Sequence, residues 1–488
     1  MHKKILALLL LAAIPASAQQ LKTPVSGDDY WQMGRAVLAQ RMKIIHRPQR
    51  AKNVVLLIGD GMGVSTVTAA RIFDGQYPDD GSPRRTGEEN VLSFETLPHV
   101  ALVKTYNTDA QVSDSAGTAS AINTGVKTRI GYINFAQNQT EDDCRAGNAF
   151  PRTIADIARS QGMAVGIVST TRVTHATPAA VFAHVPNRNW EGADKAFPAE
   201  ARAKGCKDIA RQLVDYVPDL TLAGGTNQFL PVKDGGRRDD DMNLLQEWQK
   251  RGTFINDLKG LQELSVKDRR PVLGLFSKDH MSFEVDRDKT KEPGLVDMTR
   301  AALARLPQVS AKGYYLMIEG GRIDHAHHAS NPYRALSETQ QFHRAVELVL
   351  KTVNLDDTLV LVTSDHSHTL SIAGYSVRGN DILGYIRSAR GGEGGGPVSP
   401  EGHALDDRGQ PMTTLSYANG AFMSPPLSRL LPPNDPNYLS AKTFGTASET
   451  HAGEDVALYA TGPRAHLVGG VIEQNVIFHL IAEALGWR

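Results

Sequence analysis

Residues 53–63 read Asn-Val-Val-Leu-Leu-Ile-Gly-Asp-Gly-Met-Gly, an apolar run that ends in a glycine-rich segment carrying one aspartate. A run that is apolar on both faces is typical of a central strand in a parallel sheet, because helices cover both sides of such a strand. Four further runs of this kind follow along the chain, at residues 164–169, 314–318, 358–363 and 456–460. The sequence therefore predicts five strands of one mostly parallel sheet.

Helical stretches separate these apolar runs, at residues 151–161, 296–306 and 337–353. The alternation predicts an α/β fold in one large domain, with a central mostly parallel sheet sandwiched by helices. Residues 374–439 break the pattern, because they are rich in glycine, proline and serine and lack sustained periodicity. We expect an irregular inserted region there, with a flexible tip at residues 391–397.

Acidic and imidazole side chains follow the predicted strands where the strands end. They are Asp60, then Glu319, Asp324 and His328, then Asp365, His366 and His368, and finally His451, shortly before the last strand. Each cluster alone is more typical of a strand-end cap or a surface residue, but four clusters at equivalent ends of one sheet converge in space. A purely hydrogen-bonded network would leave buried carboxylates without a counter-ion, so we expect metal ions. Mixed imidazole and carboxylate ligands suit zinc, and all-oxygen sets suit magnesium.

A candidate nucleophile lies at the start of a predicted helix. The small residues after Ser115 indicate a helix that ends near Gly125, which places Ser115 at the helix N-terminus, where negative charge is favoured. The alternative is that Ser113, Asp114 or Ser115 is an ordinary helix cap. No Gly-x-Ser-x-Gly elbow is present, and a serine activated by a metal needs no histidine base. Arg188 stands among neutral neighbours; it is either structural or a planar fork for two phosphate oxygens.

Composition and the N-terminus bear on partners and location. The chain has 488 residues, 41% hydrophobic and 22% charged, and its 53 basic residues balance 53 acidic ones. No overall basic field therefore attracts nucleic acid.

Residues 1–18 predict a secretion signal, with a charged start, an apolar run too short to span a bilayer and an Ala-Ser-Ala cleavage site; a buried N-terminal element is the alternative. We expect an exported protein, periplasmic or secreted, with no membrane anchor and a mature chain of residues 19–488.

The chain has only two cysteines, Cys144 and Cys206. An even pair can form a bridge in an oxidising compartment. Their spacing alone leaves two free thiols open as the alternative.

The same segments together resemble the alkaline phosphatase family, with a closer match to the animal-type enzymes and their bacterial relatives. The similar segments are residues 59–66, 114–118, 319–328, 365–368 and 450–455, which run in the family's order through most of the mature chain. The resemblance implies a phosphomonoesterase that accepts many leaving groups and forms a phosphoserine at Ser115. The alternatives are a phosphodiesterase or phosphonate monoester hydrolase of the same superfamily, and a non-catalytic metal- or phosphate-binding protein.

The resemblance also implies two Zn²⁺ and one Mg²⁺ per subunit. Their ligands would be Asp324, His328 and His451 for one zinc, Asp60, Asp365 and His366 for the other, and Asp60, Thr177 and Glu319 for magnesium, with His175 near its water shell. By the same resemblance Arg188 holds phosphate, Cys144 pairs with Cys206, and the protein is a homodimer, for which the helix predicted at 28–45 is a candidate contact. Animal relatives carry a calcium site that would fall near Phe276, Ser277 and Glu292; Ser277 replaces a carboxylate, so calcium is not predicted there.

Overall fold

The structure is a computed structural model, and it describes residues 29–144, 150–388, 396–421 and 431–487. The predicted signal at 1–18 lies outside these residues, as does most of the predicted tip at 391–397. The chain divides into two compact units, one ending at Ile45 and the other beginning at His46. In the first unit the described structure is helix α1 (Asp29–Arg41).

The second unit is built on a sheet of ten described strands. Their ranges are β1 (Asn53–Gly59), β2 (His99–Lys104), β3 (Ala164–Arg172), β4 (Leu220–Gly224), β5 (Thr253–Ile255), β6 (Val272–Leu275), β7 (Tyr314–Gly320), β8 (Thr358–Thr363), β14 (Val456–Thr461) and β15 (Val471–Glu473). The order across the sheet is β15-β2-β14-β8-β1-β7-β3-β4-β6-β5. Strands β8, β1, β7, β3, β4, β6 and β5 are all parallel, so the predicted mostly parallel sheet is confirmed.

Helices cover both faces of this sheet. Their ranges are α2 (Val64–Gln76), α3 (Ser115–Thr124), α4 (Ile154–Ser160), α5 (Ala176–Ala179), α6 (Ala199–Ala203), α7 (Ile209–Tyr216), α8 (Leu244–Gln249), α9 (Leu258–Gln262), α10 (Leu295–Val309), α11 (Arg322–His328), α12 (Pro332–Thr352) and α13 (Val476–Leu485). Alternate residues of β1 enter different cores. Leu56 packs in a cluster with residues of α3 and α13, while Leu57 packs in a cluster with residues of α2, α10 and α12. Each such fully buried aliphatic side chain stabilises the fold by about 1.5–3 kcal/mol.

Strand β14 differs from the prediction in direction. It runs antiparallel to both of its neighbours, β8 and β2, whereas the apolar run at 456–460 was expected to belong among parallel strands. An apolar run shows that both faces are buried, and it carries no information on direction. Because β14 is reversed, the segment that precedes it lies at the same edge as the carboxyl ends of β1, β7 and β8.

A smaller sheet contains β10 (Leu370–Ile372), β11 (Leu415–Gly420) and β12 (Ala441–Gly445), and a two-stranded one pairs β9 (Ser367–His368) with β13 (His451–Ala452). Strand β11 falls inside residues 374–439, so the inserted region contains regular structure that its composition did not predict. A disulfide joins Cys144 to Cys206, which confirms the predicted pair. Within the residues that the structure describes, none of the helices has the length and apolarity needed to cross a bilayer.

Candidate active site

Helix α3 begins at Ser115, at the edge of the sheet where the parallel strands end. The helix cap is Asp114, whose carboxylate accepts hydrogen bonds from Gly117 N–H and from the Asn107 side chain, each at 3.1 Å. Gly125 ends the helix in the left-handed conformation with φ 74°. Because Asp114 supplies the cap, the buried Ser115 hydroxyl is free for another partner. Its oxygen lies 3.1 Å from Nε2 of His366.

One group of candidate ligands surrounds that histidine. Nε2 of His366 lies 3.3 Å from an oxygen of Asp60 and 3.3 Å from an oxygen of Asp365, and all three residues are fully buried. Asp60 follows β1 and Asp365 follows β8, and the register of these neighbouring strands brings their ends together. With zinc–ligand distances of about 2.0–2.1 Å, two ligand atoms of a tetrahedral site lie roughly 3.4 Å apart. The observed separations therefore fit one bound zinc ion.

A second group forms at the end of β7. Asp324 and His328 are one helical turn apart on α11, and their ligand atoms are 3.4 Å apart. His451 brings its Nε2 to 3.4 Å from Asp324 and 3.1 Å from Nε2 of His328. Both imidazoles are oriented through Nδ1, which donates to a carbonyl: that of Ser113 for His451 at 2.7 Å, and that of Glu449 for His328 at 2.6 Å. Each Nε2 is thereby left with a lone pair for a metal.

A third group consists of Asp60, Glu319 and His175, whose ligand atoms lie within 4.8 Å of one another. Both oxygens of Asp60, Oε1 of Glu319 and Nδ1 of His175 are buried and have no hydrogen-bond partner among the residues that the structure describes. The other oxygen of Glu319 accepts from the hydroxyls of Ser169 and Thr171. Thr177 on α5 is also fully buried, and its hydroxyl oxygen likewise has no hydrogen-bond partner among the described residues. Buried polar atoms without partners are rare in folded proteins, so this oxygen-rich cradle fits a cation.

The electrostatics of these groups also favour cations. Burial, and then the Asp365 carboxylate, raise the pKa of Asp60 well above its usual value, and burial raises the pKa of Glu319 to about 7. Burial opposes ionisation of Asp324 as well, yet neighbouring histidines, His328 first, hold its pKa well below the usual range. Four buried carboxylates within one edge of a sheet are costly unless positive charge neutralises them. Bound metal ions supply that charge.

The Arg188 guanidinium reaches the space between helix α3 and the third group. One of its nitrogens donates to Asp114 at 3.0 Å, and another contacts Nε2 of His175 at 3.1 Å. Its backbone N–H donates to the Gly131 carbonyl at 2.8 Å. The Arg188 side chain is thus held on two sides, by Asp114 and by His175.

Every predicted site residue is brought to this edge of the sheet. Two further residues of the site have no place in the ligand sets that the resemblance implies: His368, one of the candidate side chains at a strand end, which contacts Asp324, and Glu449, which contacts His368 and His328. His368 lies within the segment 365–368 and Glu449 directly before the segment 450–455, each two residues from a predicted ligand, His366 and His451 respectively. Two of the three residues near the family's calcium position form hydrogen bonds with other protein groups. The Ser277 hydroxyl donates to the Asp279 carbonyl, and the Glu292 carboxylate accepts from Ser282.

Comparisons with known proteins agree with this geometry. The family model for alkaline phosphatase matches residues 51–487. The tissue-nonspecific alkaline phosphatase of Gallus gallus is 39% identical over 510 residues, which cover 98% of this chain and 93% of that protein. An alkaline phosphatase of Gadus morhua is 38% identical over 465 residues, which cover 89% of this chain and 92% of that protein.

Two solved bacterial structures show the same fold. Alkaline phosphatase from the Antarctic bacterium TAB5 superposes with a TM-score of 0.62 at 23% identity, covering 90% of this chain and all of that one. The Thermus thermophilus enzyme gives a TM-score of 0.65 at 23% identity, covering 91% of this chain and 93% of that one. The sheet, its ligand groups and these matches define a metal-dependent phosphatase. The chain belongs to the alkaline phosphatase family, and it is a phosphoric monoester hydrolase.

Proposed function

We propose that this phosphomonoesterase acts through a phosphoserine at Ser115, with two Zn²⁺ and one Mg²⁺ per chain, on monoesters of many leaving groups. The observation that carries the proposal is the position of the Ser115 oxygen, 3.1 Å from His366 and therefore beside the group that contains Asp60 and Asp365. A serine hydroxyl at a helix N-terminus, next to a fitting zinc group, is placed to attack an anionic ester.

The donor types assign the metals. One zinc would be held by Asp324, His328 and His451, and the other by Asp60, Asp365 and His366, because mixed imidazole and carboxylate sets suit zinc. Magnesium would be held by Asp60, Thr177 and Glu319, which offer only oxygen, with His175 beside it. When bound, these ions lower the pKa of the hydroxyl and of a water and neutralise charge on the phosphoryl oxygens.

The protein's own residues then account for both steps. Ser115 gives up its proton to solvent and its oxygen attacks phosphorus in line with the leaving group. The P–O bond to the alcohol breaks, a phosphoserine forms, and the departing alkoxide takes up a proton from solvent. Arg188, held by Asp114 and His175, binds two equatorial oxygens as charge builds on them. Water then attacks the phosphoserine, releasing phosphate and restoring the hydroxyl. No residue in this scheme contacts the alcohol portion, which accounts for broad specificity.

The test of the mechanism is Ser115→Ala, with Ser160→Ala, an exposed serine of α4, as the matched control. Wild type and control incubated with a ³²P-labelled monoester should yield an acid-stable phosphoserine, and Ser115→Ala should yield none and lose turnover. Undiminished turnover in Ser115→Ala would refute the scheme. Turnover of a diester that exceeds turnover of the monoester at equal metal content would favour the phosphodiesterase alternative.

Metal content tests the stoichiometry separately. Purified protein should contain two zinc and one magnesium per chain by elemental analysis. Chelation should remove them and abolish phosphate release from p-nitrophenyl phosphate, and restoring both metals should recover it. A chain that turns over without bound metal would contradict the assignment.

Export, chain organisation and assembly are part of the same proposal. Residues 1–18 would be removed as a signal peptide, leaving residues 19–488 as one catalytic domain with the insertion at 374–439, periplasmic or secreted. A homodimer is supported by exposed apolar side chains on and just after α1: Met33 and Leu38 lie on the helix, and Met42, the residue that follows it, is 80% exposed. Mass spectrometry of the native protein should show cleavage after Ala18, and sedimentation should give twice the chain mass. Removal of residues 19–45 should shift that mass toward the monomer.

A further inference from the structure

Glu449 makes contacts that the scheme above leaves unexplained. We infer that Glu449 is a positioning residue that fixes two zinc ligands at once, Asp324 through its side chain and His328 through its backbone. This inference rests on the proposed zinc site of Asp324, His328 and His451. Glu449 is 1% exposed, and it lies two residues before the third ligand of that site.

The Glu449 side chain acts on Asp324 through His368. The two ring nitrogens of His368 lie 2.6 Å from an oxygen of Asp324 and 2.6 Å from an oxygen of Glu449. Since carboxylates only accept, both nitrogens carry hydrogen and donate, so His368 is a fixed bridge between the two acids. Rotation of the Asp324 carboxylate would break a buried charge-assisted hydrogen bond.

The Glu449 backbone contacts His328 directly. The Glu449 carbonyl accepts from Nδ1 of His328 at 2.6 Å, and the Glu449 N–H donates to the His328 carbonyl at 3.1 Å. The first bond sets the tautomer that leaves Nε2 for the metal, and the second ties residue 449 to the end of α11. One residue thereby sets the orientation of two of the three ligands.

Glu449 is itself anchored. Its other carboxylate oxygen accepts from the backbone N–H of Thr369 at 2.8 Å and from the Thr369 hydroxyl at 2.6 Å. The next residue, Thr450, exchanges two hydrogen bonds of 2.9 Å with the Asn419 side chain on β11. The carboxylate is therefore saturated by three donors in a fully enclosed position.

These contacts distinguish positioning from ligation. Glu449, His328 and His368 lie close enough together to suggest a separate metal group. Two ligand atoms on one zinc ion lie roughly 3.4 Å apart, however, whereas His368 and Glu449 are separated by 2.6 Å. That distance is a hydrogen bond, so Glu449 acts through its neighbours.

The test compares Glu449→Ala with Glu449→Gln. Alanine removes the anchor of His368, so the Asp324–His328–His451 site should bind zinc 10–100-fold more weakly in chelator competition, the range for loss of such a partner. The content should fall from two zinc to one per chain while the other zinc and the magnesium remain. Glutamine should keep near-wild-type zinc, because its oxygen can accept from Thr369 and its amide can donate to Nδ1 of His368, which still donates through Nε2.

The matched control is Glu454→Ala, which removes an exposed acid from the same segment and should leave all three metals in place. If Glu449→Ala does not fold, Glu449→Asp serves in its place, because the shorter side chain cannot reach His368 and Thr369 together. Wild-type zinc affinity in Glu449→Ala or Glu449→Asp would overturn the inference. Absence of zinc from the wild type would instead overturn the proposed metal site, so the two failures are distinguishable.

Discussion

Replacing Asp60 by asparagine should make the metal-free protein more stable while it abolishes turnover. Asp60 is completely buried, and within the described part of the chain neither of its oxygens has a hydrogen-bond donor. Burial raises its pKa well above 3.8, and the nearby carboxylates of Asp365, Asp324 and Glu319 raise it further. Without bound cations, Asp60 lowers the free energy of unfolding, whereas an asparagine at this position would not. With cations bound, Asp60 would be a ligand shared by two of the candidate metal groups.

The cost follows from proton linkage. The folded-state pKa is raised, so the unfolded chain ionises above 3.8 while the folded chain stays neutral, and the penalty grows as pH rises toward the folded pKa. Each pH unit over which the unfolded chain is ionised while the folded Asp60 carboxyl stays neutral adds about 1.4 kcal/mol to this cost. With an unfolding entropy of about 2.1 cal/mol/K per residue, the cost for each such pH unit corresponds to about 1.4 °C in melting temperature for a chain of this size.

Calorimetry of chelated wild type and chelated Asp60→Asn at pH 5 and pH 8 measures this directly. The variant should melt higher, by more at pH 8 than at pH 5, and its turnover should fall at least 1,000-fold even with metals restored. Asp407→Asn is the control, because its side chain is 91% exposed and its replacement should change neither quantity. A chelated variant that melts below the chelated wild type at pH 8 would refute the reasoning.

Three further outcomes are expected. Glu338→Gln should gain about 3 kcal/mol of stability in urea melts at pH 8 and almost none at pH 4, because burial raises the Glu338 pKa from 4.5 to about 7 and the penalty therefore develops as pH rises through that window. Replacing Cys144 and Cys206 by serine should cost about 4 kcal/mol in denaturant melts, since the bridge closes a separation of 62 residues, and reduction of the wild type should reproduce that loss. Arg188→Ala should lower kcat/KM at least about 100-fold in steady-state assays, because it removes two charge-assisted hydrogen bonds to phosphate; a change below about threefold would show that the arginine does not bind phosphate.

The central strands and long helices could be predicted from the sequence. The run at 358–363 coincides with β8, and the predictions at 53–58 and 314–318 differ from β1 and β7 only at their ends. These strands are buried on both faces, which produces a continuous apolar run that little else in the chain resembles. Edge elements gave no such signal: β5 and β15 are three residues each, too short for a pattern to emerge.

Site residues could be predicted from the sequence where their residue type has a single chemical use at that position. Where the same residue type has several uses, the prediction was poorer. Carboxylates and imidazoles at strand ends indicate metals, and the structure gathers them. Glu449 and His368 carry the same chemical groups as the ligands, and spacing alone does not separate a ligand from a residue that orients one. The difference lies in distances of 2.6 Å against 3.1–3.4 Å, which depend on packing around Thr369 and β11.

The direction of β14 explains how His451 reaches the site at all. His451 precedes its strand, whereas the other ligand groups follow theirs, and in a parallel sheet a residue before a strand lies at the opposite edge. Strand β14 has six residues, so a parallel arrangement would place His451 roughly 20 Å from Asp324, at about 3.3 Å per residue. Because β14 runs antiparallel to β8, His451 lies at the same edge of the sheet as Asp324. The pairing of His451 with His368 across β13 and β9 fixes its final position. Closure of the Asp324–His328–His451 group is therefore a consequence of one antiparallel strand, which is a property of the fold that no local sequence pattern encodes.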